Sequence, residues 1–231
     1  GVATIDALKW SPELGSQLRL FSRDTGEELT TIPMGNRYCL HLSNCFEENG
    51  LLTVDVIEHD RTLYDQYQVI PDLFTTVSRG GPVRYVIDLE KNVVVERYEI
   101  EYYISPDFPA FDPRYFTKSY NDMWMLGISA AGQEGRKFLD RLARVEWDEM
   151  TVRDVYQAPP KHYLGGEPVF IGNPHDENEG LIICQQFDAE TRRSAFLLFD
   201  AFKVAQGPIA TLHLENPLHL GFHACFDPTA T

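Results

Sequence analysis

The sequence predicts an all-β fold, a partial β-propeller of roughly four blades. Three observations lead there. Short β-like runs come in pairs, turn residues separate the members of each pair, and hairpins recur about every 45 to 50 residues, the period of a four-stranded blade. Closed propellers usually have more blades, so the chain reads as incomplete. A β-sandwich, which also has many short strands with turn signals, is the alternative.

The first pair is Leu40 to Phe46 and Leu51 to Ile57, with Asn49-Gly50 between them. Asn-Gly is a strong hairpin signal because both residues accept positive φ. Val83 to Leu89 and Val93 to Tyr98 flank a turn at Glu90-Lys91-Asn92. Leu142 to Trp147 and Val152 to Tyr156 flank Asp148-Glu149-Met150. Leu181 to Phe187 and Ser194 to Phe199 flank Asp188 to Thr191. Ala210 to Leu214 and Leu220 to Phe226 are the last expected strands. Glu134 to Leu142 is expected to form a helical turn or two, and Arg61 to Thr75 an irregular connection. Pro106, Pro109 and Pro113 mark a non-regular loop, since proline cannot continue a ladder.

The 231 residues suffice for one sizeable domain or two small ones. A hydrophobic fraction of 43% and a charged fraction of 24% are ordinary for a globular protein. The net charge of −15 repels phosphate backbones, so nucleic acid is excluded as a partner. It also opposes broad docking on anionic lipid, while leaving room for a local apolar, peripheral contact with a membrane. Cys39, Cys45, Cys184 and Cys225 form no CxxC pair, and reduced thiols in an intracellular protein are the simplest reading. No apolar run is long enough to span a bilayer and no signal peptide is visible, so a cytoplasmic or peripheral-membrane location is expected. The chain opens on Gly1-Val2-Ala3 without an initiator Met and reads as processed, trimmed or cut from something longer.

Of the seven histidines, two stand out. His41 lies within Leu40-His41-Leu42, and His223 within Gly221-Phe222-His223-Ala224-Cys225-Phe226, both apolar runs. A neutral imidazole inside a strand needs a partner for each ring nitrogen, and a metal on one with a carboxylate or carbonyl on the other satisfies both. The long separation carries no local metal signature, so spacing alone assigns no site. Inner strands of a propeller all run beside its axis, however, and histidines remote in sequence can converge there.

Several segments together resemble the carotenoid cleavage oxygenases, the retinal pigment epithelial membrane protein family. Leu8 to Ser16 is similar to the family stretch preceding its third histidine. His41-Leu42-Ser43-Asn44-Cys45-Phe46-Glu47 resembles HxxNxFE, Phe108-Pro109 through Tyr115 resembles FPxxxxxY, Gly166-Glu167-Pro168-Val169-Phe170 matches GEPxF, and Gly221-Phe222-His223 matches the terminal GFH motif. Their order also agrees. The resemblance implies a seven-bladed propeller in which four axial histidines hold Fe(2+). Residues 1–231 would be the C-terminal part of that single domain, with the N-terminal half absent. His41 and His223 would be two of the iron ligands, and the other two would lie in the missing half. Glu167 matches a carboxylate that hydrogen-bonds a ligand histidine. Asp107 stands where the family usually has Glu, one methylene longer, so its hydrogen bond needs a shifted loop or a water.

The activity so implied is dioxygenase cleavage of a conjugated carbon–carbon double bond in a carotenoid or apocarotenoid, carried by the full-length parent. The partners are an apolar polyene, dioxygen and the N-terminal half. A non-catalytic propeller fragment that binds a partner is the alternative, since two ligands are missing. Stilbene cleavage or retinyl-ester isomerisation-hydrolysis would keep the family and change the reaction. Tyr64, Tyr67, Phe74, Phe108, Phe111, Tyr115 and Phe116 are candidates to line an apolar tunnel, with ordinary packing expected for most. Cys39 and Cys225, each two residues from a candidate ligand, should share its strand face as packing residues. His162, His175, His213 and His219 read as non-ligands, and Asp176 to Glu179 as a solvated turn.

Overall fold

The computed structural model describes residues 7, 9–63, 77–135 and 137–227. The chain divides into two compact units, residues 1–105 with 131–136 and residues 106–130 with 137–231. Of the candidate tunnel aromatics, Tyr64, Tyr67 and Phe74 lie outside the described residues, as do Leu8 and most of the connection expected at 61–75.

The first unit holds a two-stranded antiparallel sheet, β1 (Ser16–Phe21) and β2 (Glu28–Gly35), and a four-stranded one. The latter runs in chain order through β3 (Tyr38–Glu48), β4 (Leu51–His59), β5 (Gly80–Asp88) and β6 (Val93–Glu99). Asn49 and Gly50 both take positive φ, 55° and 77°, and join β3 to β4 as their pairing predicted. The apolar face of this sheet, with Leu52, Val54, Val56, Val83, Tyr85 and Ile87, packs with Ile32 of β2. Glu58 closes the end of that face. It is buried, takes a hydrogen bond from the Tyr85 hydroxyl, and is neutralised by Arg97 at 2.6 Å and Arg37 at 3.5 Å. On β4, the fully buried Asp55 receives two 2.8 Å hydrogen bonds from Arg84, the paired, forked geometry that a buried carboxylate requires.

The second unit repeats the meander twice. One sheet is β7 (Asp107–Phe111), β8 (Asp122–Gly127), β9 (Arg141–Glu146) and β10 (Thr151–Gln157). The other is β11 (His162–Gly172), β12 (Gly180–Asp188), β13 (Arg193–Asp200) and β14 (Ala210–His213). β7 and β8 contact β11. Trp124 stacks on Phe170 with ring centroids 4.8 Å apart, and its indole N–H donates to the Ala201 carbonyl at 2.7 Å. Four-residue turns close β5–β6 and β12–β13. In both, the last strand aspartate, Asp88 or Asp188, accepts two backbone N–H groups of the turn, an Asx-turn that explains Asp at those positions.

Three expectations are corrected. Glu134 to Leu142 forms no helix among its described residues. Gly135 takes φ 93°, and Arg141-Leu142 are drawn into the β8–β9 ladder. The loop expected around Pro109 contains a strand, β7, tolerated because β7 is an edge strand with a bulge at Phe108-Pro109. Leu220 to Phe226 is not a strand. It lacks a ladder partner and crosses the face of its sheet as a strap.

Candidate metal centre

The three four-stranded sheets share one device. The first strand of each is bulged, and each bulge holds a residue singled out in the sequence. In β3, extra residues fall between Cys39 and Leu42 and again between Leu42 and Asn44, so His41 sits in a break of the β3–β4 ladder. In β7 the irregularity lies between Asp107 and Ala110, and in β11 between Gly165 and Val169, which contains Glu167. A bulge frees the backbone from strict alternation and re-aims its side chains. His41 is half-buried, next to the exposed Leu42 and the buried Ser43 and Asn44. Asn44 Oδ1 accepts the Cys45 N–H at 2.9 Å, a side-chain hydrogen bond that supports the local backbone. Glu47 is exposed near the hairpin turn.

In the second unit the structure brings Glu167 and His223 together. His223 Nδ1 stands 3.4 Å from Glu167 Oε2, and the Ala224 N–H points at the same oxygen, also at 3.4 Å. Both contacts are long for hydrogen bonds, close enough to orient the ring but loose. Phe108 and Phe222 meet the imidazole edge-on, with centroids at 6.0 and 4.5 Å. Phe108 is buried at φ 55°, an uncommon conformation for a bulky residue that the bulge imposes. Asp107 precedes it, opposite Leu126 in the ladder. His223 was expected inside a strand. Its side chain is instead 54% exposed on the strap, against 24% for Glu167. Cys225 is likewise exposed and shares no strand face with His223.

The strap is held by residues that periodicity did not single out. Leu214 N–H donates to the Ser194 carbonyl at 3.0 Å, and Ser194 Oγ both receives the Leu218 N–H at 2.9 Å and donates to the Leu218 carbonyl at 3.0 Å. Gln185 Nε2 donates to the His219 carbonyl at 2.8 Å, while Gln185 Oε1 accepts the Gly221 N–H at 2.7 Å. Gly166 N–H donates to the Gly221 carbonyl at 2.8 Å. Glycine is needed at Gly165, where a Cβ would meet Leu220 Cδ2 at 2.5 Å, and at Gly221, where one would meet Gly166 Cα at 3.2 Å. The GEPxF and GFH motifs are therefore two sides of one close backbone contact.

A histidine whose Nδ1 faces a carboxylate keeps Nε2 for a metal, the usual arrangement of imidazole ligands. His223 meets that condition. Among the described residues no group of three or more His, Cys, Asp or Glu is placed to hold an ion. Of the other histidines, His162 contacts the Pro160 carbonyl at 3.1 Å, and His219 contributes its carbonyl to the Gln185 clamp. Burial pushes the Cys184 thiol up to about 12, which makes it inert.

A groove of about 680 Å³ opens beside Glu167 in this unit. Its walls include Phe111, Phe116, Pro168, Phe170 and Phe226, and Phe111 stacks on Phe116 with centroids 6.5 Å apart. Tyr115 instead donates to Glu177 at 3.1 Å, within the acidic turn.

Residues 1–228 match the retinal pigment epithelial membrane protein family. The chain belongs to this family. It is 27% identical over 229 residues to the apocarotenoid-15,15'-oxygenase of Synechocystis sp., covering 93% of this chain and 44% of that protein. It is 23% identical to the isoeugenol monooxygenase of Pseudomonas putida, covering 94% of this chain and 47% of that one. Among solved structures, a point mutant of the Synechocystis ACO superposes with a TM-score of 0.81 at 25% identity, over 96% of this chain and 46% of that one. A cobalt-substituted Synechocystis ACO superposes with a TM-score of 0.74 at 26% identity, over 90% and 43%. The chain thus spans about half the length of the curated relatives it matches. Its fold class is the expected one, all-β and a partial propeller. No described helix is long and apolar enough to cross a membrane.

Proposed function

We propose that this chain is part of a non-haem Fe(II) dioxygenase that cleaves a conjugated carbon–carbon double bond of a carotenoid or apocarotenoid. The observation that carries the reading is the His223–Glu167 pair, in which a carboxylate faces Nδ1 of a histidine in a family of oxygenases. His41 and His223 would ligate the iron through imidazole nitrogen, and two further histidines from the N-terminal half of the full-length protein would complete the shell. Iron bound there would supply the activation of dioxygen, so no side chain need act as general base.

The protein's own residues then orient the ligand. Glu167 would hold a proton on His223 Nδ1 and so fix the tautomer with Nε2 unprotonated. Phe108 and Phe222 meet the ring edge-on and restrict its orientation. Asp107, at the bulge of β7, is the candidate second carboxylate for a ligand histidine. The apolar groove beside Glu167 suits a polyene better than a polar substrate.

A second reading, a non-catalytic propeller fragment that binds a partner, is favoured by the absence of a complete donor cluster among the described residues. Relatives named for lignostilbene and resveratrol keep stilbene cleavage within view, and retinyl-ester isomerisation-hydrolysis stays within the same family. Metal analysis of the full-length protein separates the metal-dependent readings from the non-catalytic one. His41→Ala and His223→Ala should each lose stoichiometric iron, and iron retained in both would overturn the assignment.

A further inference from the structure

We propose that Gln185 is the positioning residue that delivers His223 to its site. The inference rests on His223 being a ligand. Between Leu214 and Phe226 the strap belongs to no strand; backbone hydrogen bonds tie it at Leu214 and Gly221, and without a continuous ladder its register between and beyond those points depends on side chains of the surface it crosses. That surface is prepared for it. Gly165 lies opposite Gln185, which lies opposite Phe196, and Ser194 is two residues from Phe196 on the same strand. Gly165, Gln185 and Ser194 therefore share one face of the sheet.

Gln185 is 7% exposed. Its carboxamide donates to the His219 carbonyl and accepts from the Gly221 N–H, as the peptide group of a neighbouring strand would. A slip of the strap by one residue would leave both amide atoms buried without partners, which is unfavourable. Ser194 grips the strap further back, at Leu218. Gln185 grips it two residues before His223, on the stretch that sets where the imidazole meets Glu167. Because its donor and acceptor engage different residues, the Gln185 side chain fixes position along the strap, whereas the Ser194 hydroxyl exchanges both of its bonds with Leu218 alone.

Cobalt(II) is the probe, read on the full-length protein by its dissociation constant and its visible absorption spectrum. Gln185→Leu should weaken cobalt binding by about 10–100-fold, as loss of an outer support of a metal ligand does, and should change the spectrum. Ser194→Ala, a lost latch on the same strap, should leave both as in the unmodified protein. If Gln185→Leu does not fold, Gln185→Glu carries the test. It keeps the shape and the acceptor for Gly221, loses the donor to His219, and should also weaken cobalt binding. Unchanged cobalt binding in a folded Gln185 variant, with binding lost in His223→Ala, overturns the inference and leaves the ligand reading standing. Equal weakening by Ser194→Ala also overturns it, since the strap would then need only tethering. Unaltered binding in His223→Ala defeats the ligand reading and the inference with it.

Discussion

Glu167 does two jobs that its sequence motif does not separate. Its Oε2 faces both His223 Nδ1 and the Ala224 N–H, so one oxygen orients the side chain of the ligand candidate and the backbone just after it. Glu167→Gln keeps the shape and an acceptor but removes the charge that stabilises a ring proton on Nδ1. It should lower the iron affinity of the full-length protein by about 10–100-fold while leaving thermal stability nearly unchanged. A competition titration with a chelator measures this, and an unaltered affinity would count against the orienting role. At this scale much was legible in the chain. His41 and His223 stand out because an imidazole in an apolar run is an unusual choice, and Glu167 stands out through the resemblance of its segment to the GEPxF motif of the family. Gln185 carried no signal. A glutamine in a strand between Cys184 and Gln186 looks like a surface residue, and only its partners at 219 and 221 make it a clamp.

The elements that bear these residues are bulged strands and a strap, and both depart from simple alternation. The hairpins were readable because turn chemistry is local. Asn49-Gly50 takes positive φ at both residues, and Asp88 and Asp188 gather the N–H groups of their own turns. The strap was misread as a strand because Leu220, Phe222, Ala224 and Phe226 alternate with other residues as strand residues do. Leu220 lies against Gly165 and Phe222 meets Phe108 edge-on, but Phe222 and Phe226 remain 65% and 52% exposed, so alternation here marks neither a ladder nor a fully covered side. Gly165→Ala tests this packing. Its Cβ would fall 3.0 Å from Leu220 Cβ as well as on the Cδ2, so the strap must move. The expected cost is about 1–3 kcal/mol, seen as a lower urea midpoint with unchanged slope. A midpoint equal to that of the unmodified protein would show that the strap does not pack there.

For the whole molecule, alkaline pH should be the weak side. Burial, reinforced by the hydrogen bond with Glu58, raises the Tyr85 hydroxyl from 10.0 to about 12, and burial raises the Cys184 thiol from 9.0 to about 12. Both groups hold their protons more tightly when folded. Their contribution to stability is complete below about pH 9, where folded and unfolded chains are both protonated. It declines as pH rises toward about 12, because the unfolded chain releases these protons first. The net charge of −15 adds self-repulsion in the same direction. Thermal midpoints recorded from pH 8 upward should fall beyond about pH 9, and a flat profile would contradict the burial of these two groups.

By itself the sequence determined the all-β class, the paired strands, the turns between them and the family, because periodicity, turn chemistry and short motifs are local properties of a chain. Only the tertiary structure decided that His223 rides on a strap, that Phe108 is held at positive φ by a bulge, and that Gln185 and Ser194 grip the strap. Those features depend on contacts between residues such as Gly166 and Gly221, or Gln185 and His219. No window of neighbouring residues encodes such a contact, because its free energy exists only once separate strands have been brought together.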